Sequence, residues 1–137
     1  MKTALVTGAN SGIGLAVTKK FLKEGFYVIA HYHSSKSNLE TIDSNRIFIV
    51  SSDFSNKESI DIFFKQCKES GREIDVLINN AALFTIADKI ESSPYDDFLK
   101  VMTTDLTAPF LLSQDCMRAM KKKNWGRIIN ISSIGVK

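Results

Sequence analysis

Short apolar runs alternate with longer amphipathic segments along the chain, and this alternation restricts the possible folds more than any other feature. The runs of strand length lie at residues 3–7, 26–32, 46–52, 74–79 and 127–132. Runs such as TALVT and RIFIVSS are almost continuously apolar, which is typical of strands covered on both faces. Helix-length connections between the runs predict parallel strands with right-handed crossovers. We therefore expect one α/β domain over residues 1–137, a doubly wound parallel sheet with helices on both faces.

Polar residues and proline indicate where several helices begin. Ser55 followed by Glu58 has the pattern of a capping box, with Ser55 as the N-cap. Ser93 followed by Pro94 predicts an N-cap and then a proline at the first helical position. A later helix is expected over roughly 104–122, with a proline disturbing its first turns.

Composition excludes several classes of function. The net charge of +3 is too small to indicate a nucleic-acid binder, and the basic run Lys121–Lys123 is typical of a solvated helix end. The sequence starts with too short an apolar run for a signal peptide, and no apolar stretch reaches the roughly 18 residues of a membrane helix. Cys67 and Cys116 are far apart and are predicted to be reduced, as in a cytoplasmic protein. We therefore expect no nucleic-acid partner and no membrane association.

A small polar cluster follows every predicted strand. In chain order these clusters read TGANSG, HYHSS, SSD, NNA and ISS. In parallel α/β sheets, ligands bind beyond the carboxyl ends of the strands. Because all the clusters fall at equivalent strand ends, they predict one ligand site along that edge of the sheet.

The first cluster belongs to a glycine-rich turn, TGANSGIG, at residues 7–14. Gly8 permits a tight turn, Gly12 lets the backbone approach a phosphate, and Gly14 lets the following helix pack closely on the sheet. The helix N-terminus then offers free N–H groups to a pyrophosphate. The glycine spacing is GxxxGxG rather than GxGxxG. The pattern favours cofactor binding over the alternative, a plain strand-to-helix turn.

With these motifs the chain resembles the short-chain dehydrogenase/reductase family. The turn at 7–14 resembles the family's TGxxxGxG turn, and Asp53 is similar to its adenine-contacting aspartate. NNAA at 79–82 is similar to the family's NNAG, with Ala82 in place of glycine. GRIINISS at 126–133 is similar to the strand that carries the family's catalytic serine. The resemblance covers the whole chain and implies a Rossmann-like sheet, here with strand order 3-2-1-4-5.

The resemblance also implies a set of cofactor-binding residues. Asp53 would accept a hydrogen bond from the adenine amino group and the Phe54 backbone would contact the ring edge, while the alternative for Asp53 is a helix cap. One of the two asparagines at 79–80 would tie strands together, and the other would lie beside the adenosine. The full set is Gly8, Asn10, Ser11, Gly12, Ile13, Gly14, His33, Ser34, Ser35, Asp53, Phe54, Asn80, Ala81 and Ala82.

The end of the second strand selects the cofactor. An acidic residue there would bind the ribose 2′-hydroxyl of NAD(H). HYHSSK has no carboxylate, and Ser34, Ser35 and Lys36 suit a phosphate, so we predict NADP(H) rather than NAD(H). A rival interpretation makes His31 and His33 metal ligands, but the pattern supplies no third ligand, so no metal site is predicted.

Ser133 is the candidate catalytic residue. The resemblance implies that its hydroxyl would hydrogen-bond a substrate carbonyl or alcohol. The alternative is a hydroxyl that caps a turn. Asp105 stands where the family usually has a catalytic asparagine. Two roles remain open for Asp105: it could hold a water of a proton relay, or it could be a solvated aspartate at a helix kink. The family's YxxxK pair would follow Ser133, but no such pair is present before Lys137. We therefore expect the N-terminal part of a longer reductase, with residues 1–137 inactive alone.

These observations predict an NADP(H)-dependent oxidoreductase that interconverts a carbonyl and an alcohol in a small molecule. The substrate classes that remain open are a 3-oxoacyl thioester, a sugar and a small ketone. The resemblance implies a dimer or tetramer, formed partly through the helix at 104–122. The alternative is a non-catalytic nucleotide-binding protein, because the tyrosine and lysine are absent from the chain.

Overall fold

A computed structural model of the chain describes residues 1–84 and 90–133. Lys137, before which the sequence contains no YxxxK pair, lies outside the described residues. In the described part, the strands form one parallel sheet in the order β3-β2-β1-β4-β5, as predicted. The strands are β1 (Thr3–Val6), β2 (Tyr27–Tyr32), β3 (Ile47–Ser51), β4 (Val76–Asn79) and β5 (Arg127–Asn130).

The register of the sheet aligns the carboxyl ends of its central strands. Val6 of β1 pairs with Ala30 of β2 on one side and with Ile78 of β4 on the other. Most of the strands end one or two residues before the predicted limits. The polar clusters therefore begin at the edge of the sheet and continue as loops beyond it.

Helices connect successive strands. They are α1 (Gly12–Lys23), α2 (Ser37–Glu40), α3 (Lys57–Glu69), α4 (Tyr95–Met102) and α5 (Ala108–Lys122), with a 3₁₀ turn at Ile90–Ser92 and a π-helical turn at Thr103–Thr107. The predicted disturbance near the start of the last helix is this π-helical turn, which directly precedes Pro109 in the first turn of α5. No helix in the described ranges is both long and apolar enough to cross a membrane.

Apolar side chains fill both faces of the sheet, because residues alternate between faces along each strand. Leu5 of β1 faces the side covered by α3 and α5, where it lies in a cluster with Phe63 and Leu112. Val6 faces the side covered by α1 and α2, where Leu22 and Leu39 are buried. The prediction of helices on both faces is therefore confirmed.

The strand β5 lies at an edge of the sheet beside β4. Its residues are less buried than those of the other strands, and Ile129 is 44% exposed. Ile131, just beyond the strand, is 37% exposed. The sheet is thus well covered at its centre, where the glycine-rich turn begins, and thinly covered at β5.

Two predicted helix caps are wrong by one residue. The N-cap of α3 is Asn56 rather than Ser55, and the Asn56 side chain accepts hydrogen bonds from the N–H groups of Glu58 and Ser59. Asn and Ser both cap helices well, so the local pattern could not rank the two neighbours. The N-cap of α4 is Pro94 rather than Ser93, because the helix begins at Tyr95.

Candidate functional site

The glycine-rich turn is fastened to the end of β4 by one buried hydroxyl. Thr7 donates from Oγ1 to the carbonyl oxygen of Ile78 at 3.2 Å. The same oxygen accepts from the N–H groups of Asn80 and Ala81, each at 2.9 Å. One threonine therefore links the segment after β1 to the segment after β4, at the centre of the carboxyl edge.

Asn80 strengthens the same link from the opposite side. Its Nδ2 donates to the carbonyl oxygens of Thr7 at 2.9 Å and Gly8 at 3.2 Å. The resemblance implies that one asparagine lies beside an adenosine, and the Asn80 amide donates both of these hydrogen bonds to the glycine-rich turn. Asn79 makes the tie between strands, because its Nδ2 donates to Asn130 Oδ1 at 2.8 Å and so joins β4 to β5.

The glycines of the turn meet different spatial demands. A Cβ on Gly14 would overlap the carbonyl oxygen of Gly8 and lie 2.6 Å from Nδ2 of Asn80, so α1 can approach the turn only with glycine there. Gly12 has φ +50°, and no atom of residues 1–84 or 90–133 lies within 4 Å of the Cβ it lacks. The space beside Gly12 is therefore open, and no described side chain obstructs the backbone there. Such open space is compatible with the close approach of a phosphate to the backbone.

The N-terminus of α1 lies at this open space and gives it a positive electrostatic potential. Ser11 is the N-cap in extended conformation, and among the described residues its hydroxyl makes no capping hydrogen bond. Ile13 in the first turn is 58% exposed, and that turn carries no acidic side chain. The free N–H groups and the positive end of the helix dipole can therefore act on an anion.

Asn10 joins the glycine-rich turn to the loop after β2. Its Oδ1 accepts from the N–H groups of Asn38 at 3.0 Å and Leu39 at 3.2 Å. Its carbonyl oxygen accepts from Nδ2 of Asn38 at 2.8 Å. The side chain expected to bind cofactor is thus committed to holding α2 against the turn. Its partner lies 28 residues away in the chain, so no local pattern could have indicated the pair.

The loop after β2 carries the residues predicted to select the cofactor. Ser34 and Ser35 are exposed, and Ser35 Oγ lies 3.1 Å from Ser37 Oγ. Lys36 Nζ lies 2.8 Å from Glu40 Oε1, and hydrogen bonding to Glu40 raises the pKa of Lys36. The cation expected to meet a phosphate is therefore paired with a carboxylate on α2.

Asp53 is exposed at the end of β3 and forms a local turn. Its Oδ1 accepts from the N–H of Ser55 at 2.9 Å, and hydrogen bonds from the Ser55 side chain and backbone lower the pKa of Asp53. His33 Nε2 lies 3.9 Å from the same oxygen. The alternative role of Asp53 as the helix cap is wrong, since Asn56 is the cap. The next side chain, Phe54, is buried and leaves its backbone at the edge.

His31 is a buried polar residue of this edge that sequence reasoning assigned to ordinary strand polarity. It is 2% exposed, its Nδ1 lies 3.2 Å from the N–H of Gly8, and its Nε2 lies 3.0 Å from the carbonyl oxygen of Ser52. Burial lowers the pKa of His31 to about 4. No group of three potential metal ligands is present among the described residues. A histidine inside an otherwise apolar strand was the available signal.

Two cavities meet at the segment Ala81–Ala82. One, of about 300 Å³, lies against His33, Asp53 and Phe54 and collects predicted cofactor residues from three strand ends. The other, of about 400 Å³, lies against Asp105 and Ile131. The arrangement therefore places one cavity on the Asp53 side of the segment and another on the Asp105 side.

At the catalytic end, Asp105 lies in the π-helical turn and contacts the loop after β4. Its Oδ1 accepts from the N–H of Leu83 at 2.8 Å. Ser133 lies beyond β5 and is exposed. The exposed carboxylate thus holds the backbone next to Ala82 from its place in the helix kink.

Known proteins of similar structure bind nicotinamide cofactors. The structure of a 4-hydroxyisoleucine dehydrogenase complexed with NADH matches with a TM-score of 0.88 and 33% identity, over 98% of this chain and 56% of that one. A metagenomic short-chain oxidoreductase in complex with NADP matches with a TM-score of 0.88 and 27% identity, over 99% of this chain and 63% of that one.

The sequence gives the same result at family level. A 3-oxoacyl-[acyl-carrier-protein] reductase FabG from Haemophilus influenzae is 35% identical over 138 aligned residues, which cover 97% of this chain and 55% of that protein. The chain thus spans about half the length of the curated relatives it matches. The family model described as short chain dehydrogenase matches residues 2–137. The chain belongs to the short-chain dehydrogenase family of oxidoreductases.

Proposed function

We propose that the full-length protein containing this chain transfers hydride between NADP(H) and a small carbonyl or alcohol substrate. The observation that carries the proposal is the open backbone at Gly12, at the N-terminus of α1, together with the cavity at Asp53 on the same edge of the sheet. An anionic, elongated ligand suits this combination of backbone N–H groups and neighbouring space. When bound, the nicotinamide supplies or accepts the hydride.

Specific residues would hold such a ligand. The first-turn N–H groups of α1 and the hydroxyl of Ser11 would receive the pyrophosphate. The carboxylate of Asp53, with a lowered pKa, is ready to accept a hydrogen bond from an adenine amino group at neutral pH. The backbone at Phe54 would meet the ring edge, and Ala81 and Ala82 would separate the adenosine from the reacting end.

Preference for NADP(H) rests on the loop after β2. Residues 31–36 contain no carboxylate, and Lys36 is the available cation. Its contact with Glu40 is between two half-exposed groups, so a 2′-phosphate can compete for the ammonium. We expect kcat/KM with NADPH to exceed that with NADH about tenfold or more, by analogy with one lost charge-assisted contact.

Two substitutions test this preference in opposite directions. Lys36→Met should lower the NADPH-to-NADH ratio of kcat/KM, because it removes the cation. Glu40→Gln should raise the ratio, because it frees Lys36 from its 2.8 Å partner. Equal ratios in all three proteins would contradict the preference for NADP(H).

At the reacting end, we assign substrate binding to Ser133. Its hydroxyl would donate to the carbonyl oxygen of the substrate, while Asp105 holds the loop at Leu83. A neutral serine is a poor proton donor, so a separate acid must complete the reaction. The relatives act on substrates that include 3-oxoacyl thioesters, and such thioesters, sugars and small ketones form the panel to test.

The decisive experiment follows NADPH oxidation by the full-length protein with this panel. Turnover that falls at least a hundredfold in Ser133→Ala, with an unchanged Kd for NADPH, is the expected result. Tight binding of NADPH with no turnover on any substrate would favour a non-catalytic nucleotide-binding protein. Failure to bind either cofactor would reject both.

A homo-oligomer is also part of the proposal. On α5, Phe110 is 61% exposed and Met117 is 40% exposed, and both line one groove of the helix surface. Apolar side chains of this size at a helix surface suit a second copy of the chain. Sedimentation should give a dimer or tetramer for the full-length protein, and Phe110→Lys should shift it towards the monomer.

A further inference from the structure

His31 occupies an unusual place at the candidate cofactor site. It is the penultimate residue of β2, it is buried, and it lines the cavity at Asp53 and Phe54. Its ring also contacts structure contributed by the strands on both sides. Gly8 follows β1 and Ser52 follows β3, and each gives His31 one backbone hydrogen bond.

These two bonds determine which nitrogen of the ring carries the proton. The Gly8 N–H is a donor, so Nδ1 must be the unprotonated acceptor at 3.2 Å. The Ser52 carbonyl is an acceptor, so Nε2 must carry the hydrogen and donate at 3.0 Å. Only the neutral ring with hydrogen on Nε2 satisfies both neighbours.

The ring also supports the adenine side of the site. The His31 and Phe54 rings stack with centroids 4.0 Å apart and planes 3° from parallel. Phe63 of α3 contacts the His31 ring edge-on at 5.2 Å. Phe54 is the residue next to Asp53, so the same imidazole contacts both the phosphate turn and the segment expected to meet adenine.

We propose that His31 is a positioning residue of the cofactor site, whose neutral ring holds the Gly8 turn and the Ser52–Phe54 segment at the spacing that one dinucleotide requires. This inference rests on the proposed function for its ligand. It goes beyond that function in naming a buried side chain that acts on cofactor affinity through its contacts with Gly8, Ser52 and Phe54.

Protonation should disrupt the arrangement at one point. A proton on Nδ1 would face the N–H of Gly8, so a donor would oppose a donor. The charged groups that share the cavity with His31 are His33, Asp53 and Lys100. Burial has the largest effect on the pKa of His31 and lowers it, the backbone hydrogen bond to Ser52 raises it, and the charge of His33 lowers it further.

Two amide substitutions separate the effects of the two hydrogen bonds of His31. His31→Asn keeps an acceptor, because Oδ1 of asparagine and Nδ1 of histidine are both bonded to Cγ. His31→Gln reaches as far as Nε2 and keeps the donor to Ser52, but it loses the acceptor for Gly8. Both variants remove the stacked ring, so the loss of stacking is common to the two, while asparagine is shorter by one methylene group.

We expect the Kd for NADPH of the full-length protein to rise about tenfold in His31→Gln and less than threefold in His31→Asn, as for one buried hydrogen bond. The Kd of the wild type should also rise as the pH falls below about 5, and that of His31→Asn should not. Equal Kd values for the two variants, or a pH-independent wild type, would overturn the proposal.

A readout without ligand separates this proposal from the proposed function. Hydrogen exchange at the Gly8 amide should be faster in His31→Gln than in His31→Asn at the same pH. If the wild type binds no nicotinamide cofactor but the exchange rates differ as expected, the proposed function fails while the holding role of the ring stands. If the wild type binds cofactor and the Gly8 amide exchanges alike in both variants, the role of His31 is refuted.

Discussion

The two ends of the same five strands are held together by different chemistry. At the amino edge, the carboxylate of Asp75 is 8% exposed and accepts from the Thr3 N–H at 2.8 Å and from Lys123 Nζ at 2.9 Å. Lys123 also lies 3.1 Å from Glu73. Lys2 lies over the ring of Trp125 at 3.7 Å, so charged groups close this edge.

At the carboxyl edge, neutral groups make the corresponding links. Thr7 and Asn80 join β1 to β4, Asn10 joins the turn to α2, and His31 joins β1 to β3. Two carboxylates also lie here, and both are exposed: Asp53 forms a local turn, and Asp105 accepts from the Leu83 N–H, away from the N-terminus of α1. Neutral links leave the field of the α1 N-terminus for an anionic ligand, whereas charges at the same place would compensate it. The comparison therefore predicts that damage at the carboxyl edge affects binding, and damage at the amino edge affects stability alone.

The strongest test is Gly14→Ala at the carboxyl edge. The new methyl group would overlap the carbonyl oxygen of Gly8, so α1 or the turn must move. We expect a loss of about 3 kcal/mol in the free energy of unfolding, against the gain of about 1 kcal/mol usual inside a helix, and more than a hundredfold weaker cofactor binding. Urea unfolding and fluorescence titration measure the two effects. A stabilised variant with normal affinity would contradict the close packing described here.

Asp75→Ala is the matching test at the amino edge. It leaves the Thr3 N–H without its buried acceptor and removes the main partner of Lys123. We expect the free energy of unfolding to fall by about 3 kcal/mol, while the Kd for cofactor changes less than twofold. Glu73→Ala is the control, because its more exposed contact should contribute less than about 0.5 kcal/mol. A large change in Kd would show that the two edges are coupled.

Acid pH should destabilise the carboxyl edge of the sheet, and alkaline pH should destabilise the amino edge. The pKa of His31 is about 4, below its ordinary value, so the unfolded chain takes up the proton first as the pH falls. Stability from His31 is complete above about pH 6.5 and decreases by up to about 1.4 kcal/mol per pH unit towards pH 4. Hydrogen bonding to Asp75 raises the pKa of Lys123, so its contribution is present below pH 10.5 and is lost as the pH rises through the raised value.

Single substitutions assign the two limbs of this pH profile. His31→Asn should flatten the acid limb and leave the alkaline limb unchanged, and Lys123→Met should do the reverse. The measurement is the urea midpoint from pH 4 to 11. An acid limb that persists in His31→Asn would assign it to other groups.

The smallest effect is expected from a cap near the carboxyl edge that serves structure alone. Asn56→Ala removes the acceptor for two N–H groups of α3 and should cost about 1 kcal/mol with no change in Kd. Ser55→Ala should cost a few tenths of a kcal/mol, because its hydroxyl serves only the exposed Asp53 turn in the described contacts. If Ser55→Ala cost more free energy of unfolding than Asn56→Ala, Ser55 would be the N-cap, as the sequence pattern predicted.

What sequence could predict follows the range of the interactions. The strands and the position of the turn at 7–14 depend on neighbours along the chain, and they are found within one or two residues of where the patterns placed them. The roles of Asn10 and His31 depend on partners more than twenty residues away, so periodicity and motif spacing carry no information about them. The choice between Ser55 and Asn56 failed for a different reason, since two adjacent residues with similar capping energies differ by less than pattern reasoning can resolve.

The π-helical turn at Thr103–Thr107 changes how positions along this part of the chain should be counted. It accommodates an extra residue relative to α-helical winding, and one residue corresponds to about 100° of rotation around the axis. If 3.6 residues per turn were counted without interruption from α4 into α5, Leu112 and Cys116 would be assigned to the wrong face, although both are buried. Deleting one residue from the turn would rotate the whole of α5 relative to α4, so this short stretch should tolerate substitutions far better than changes in length.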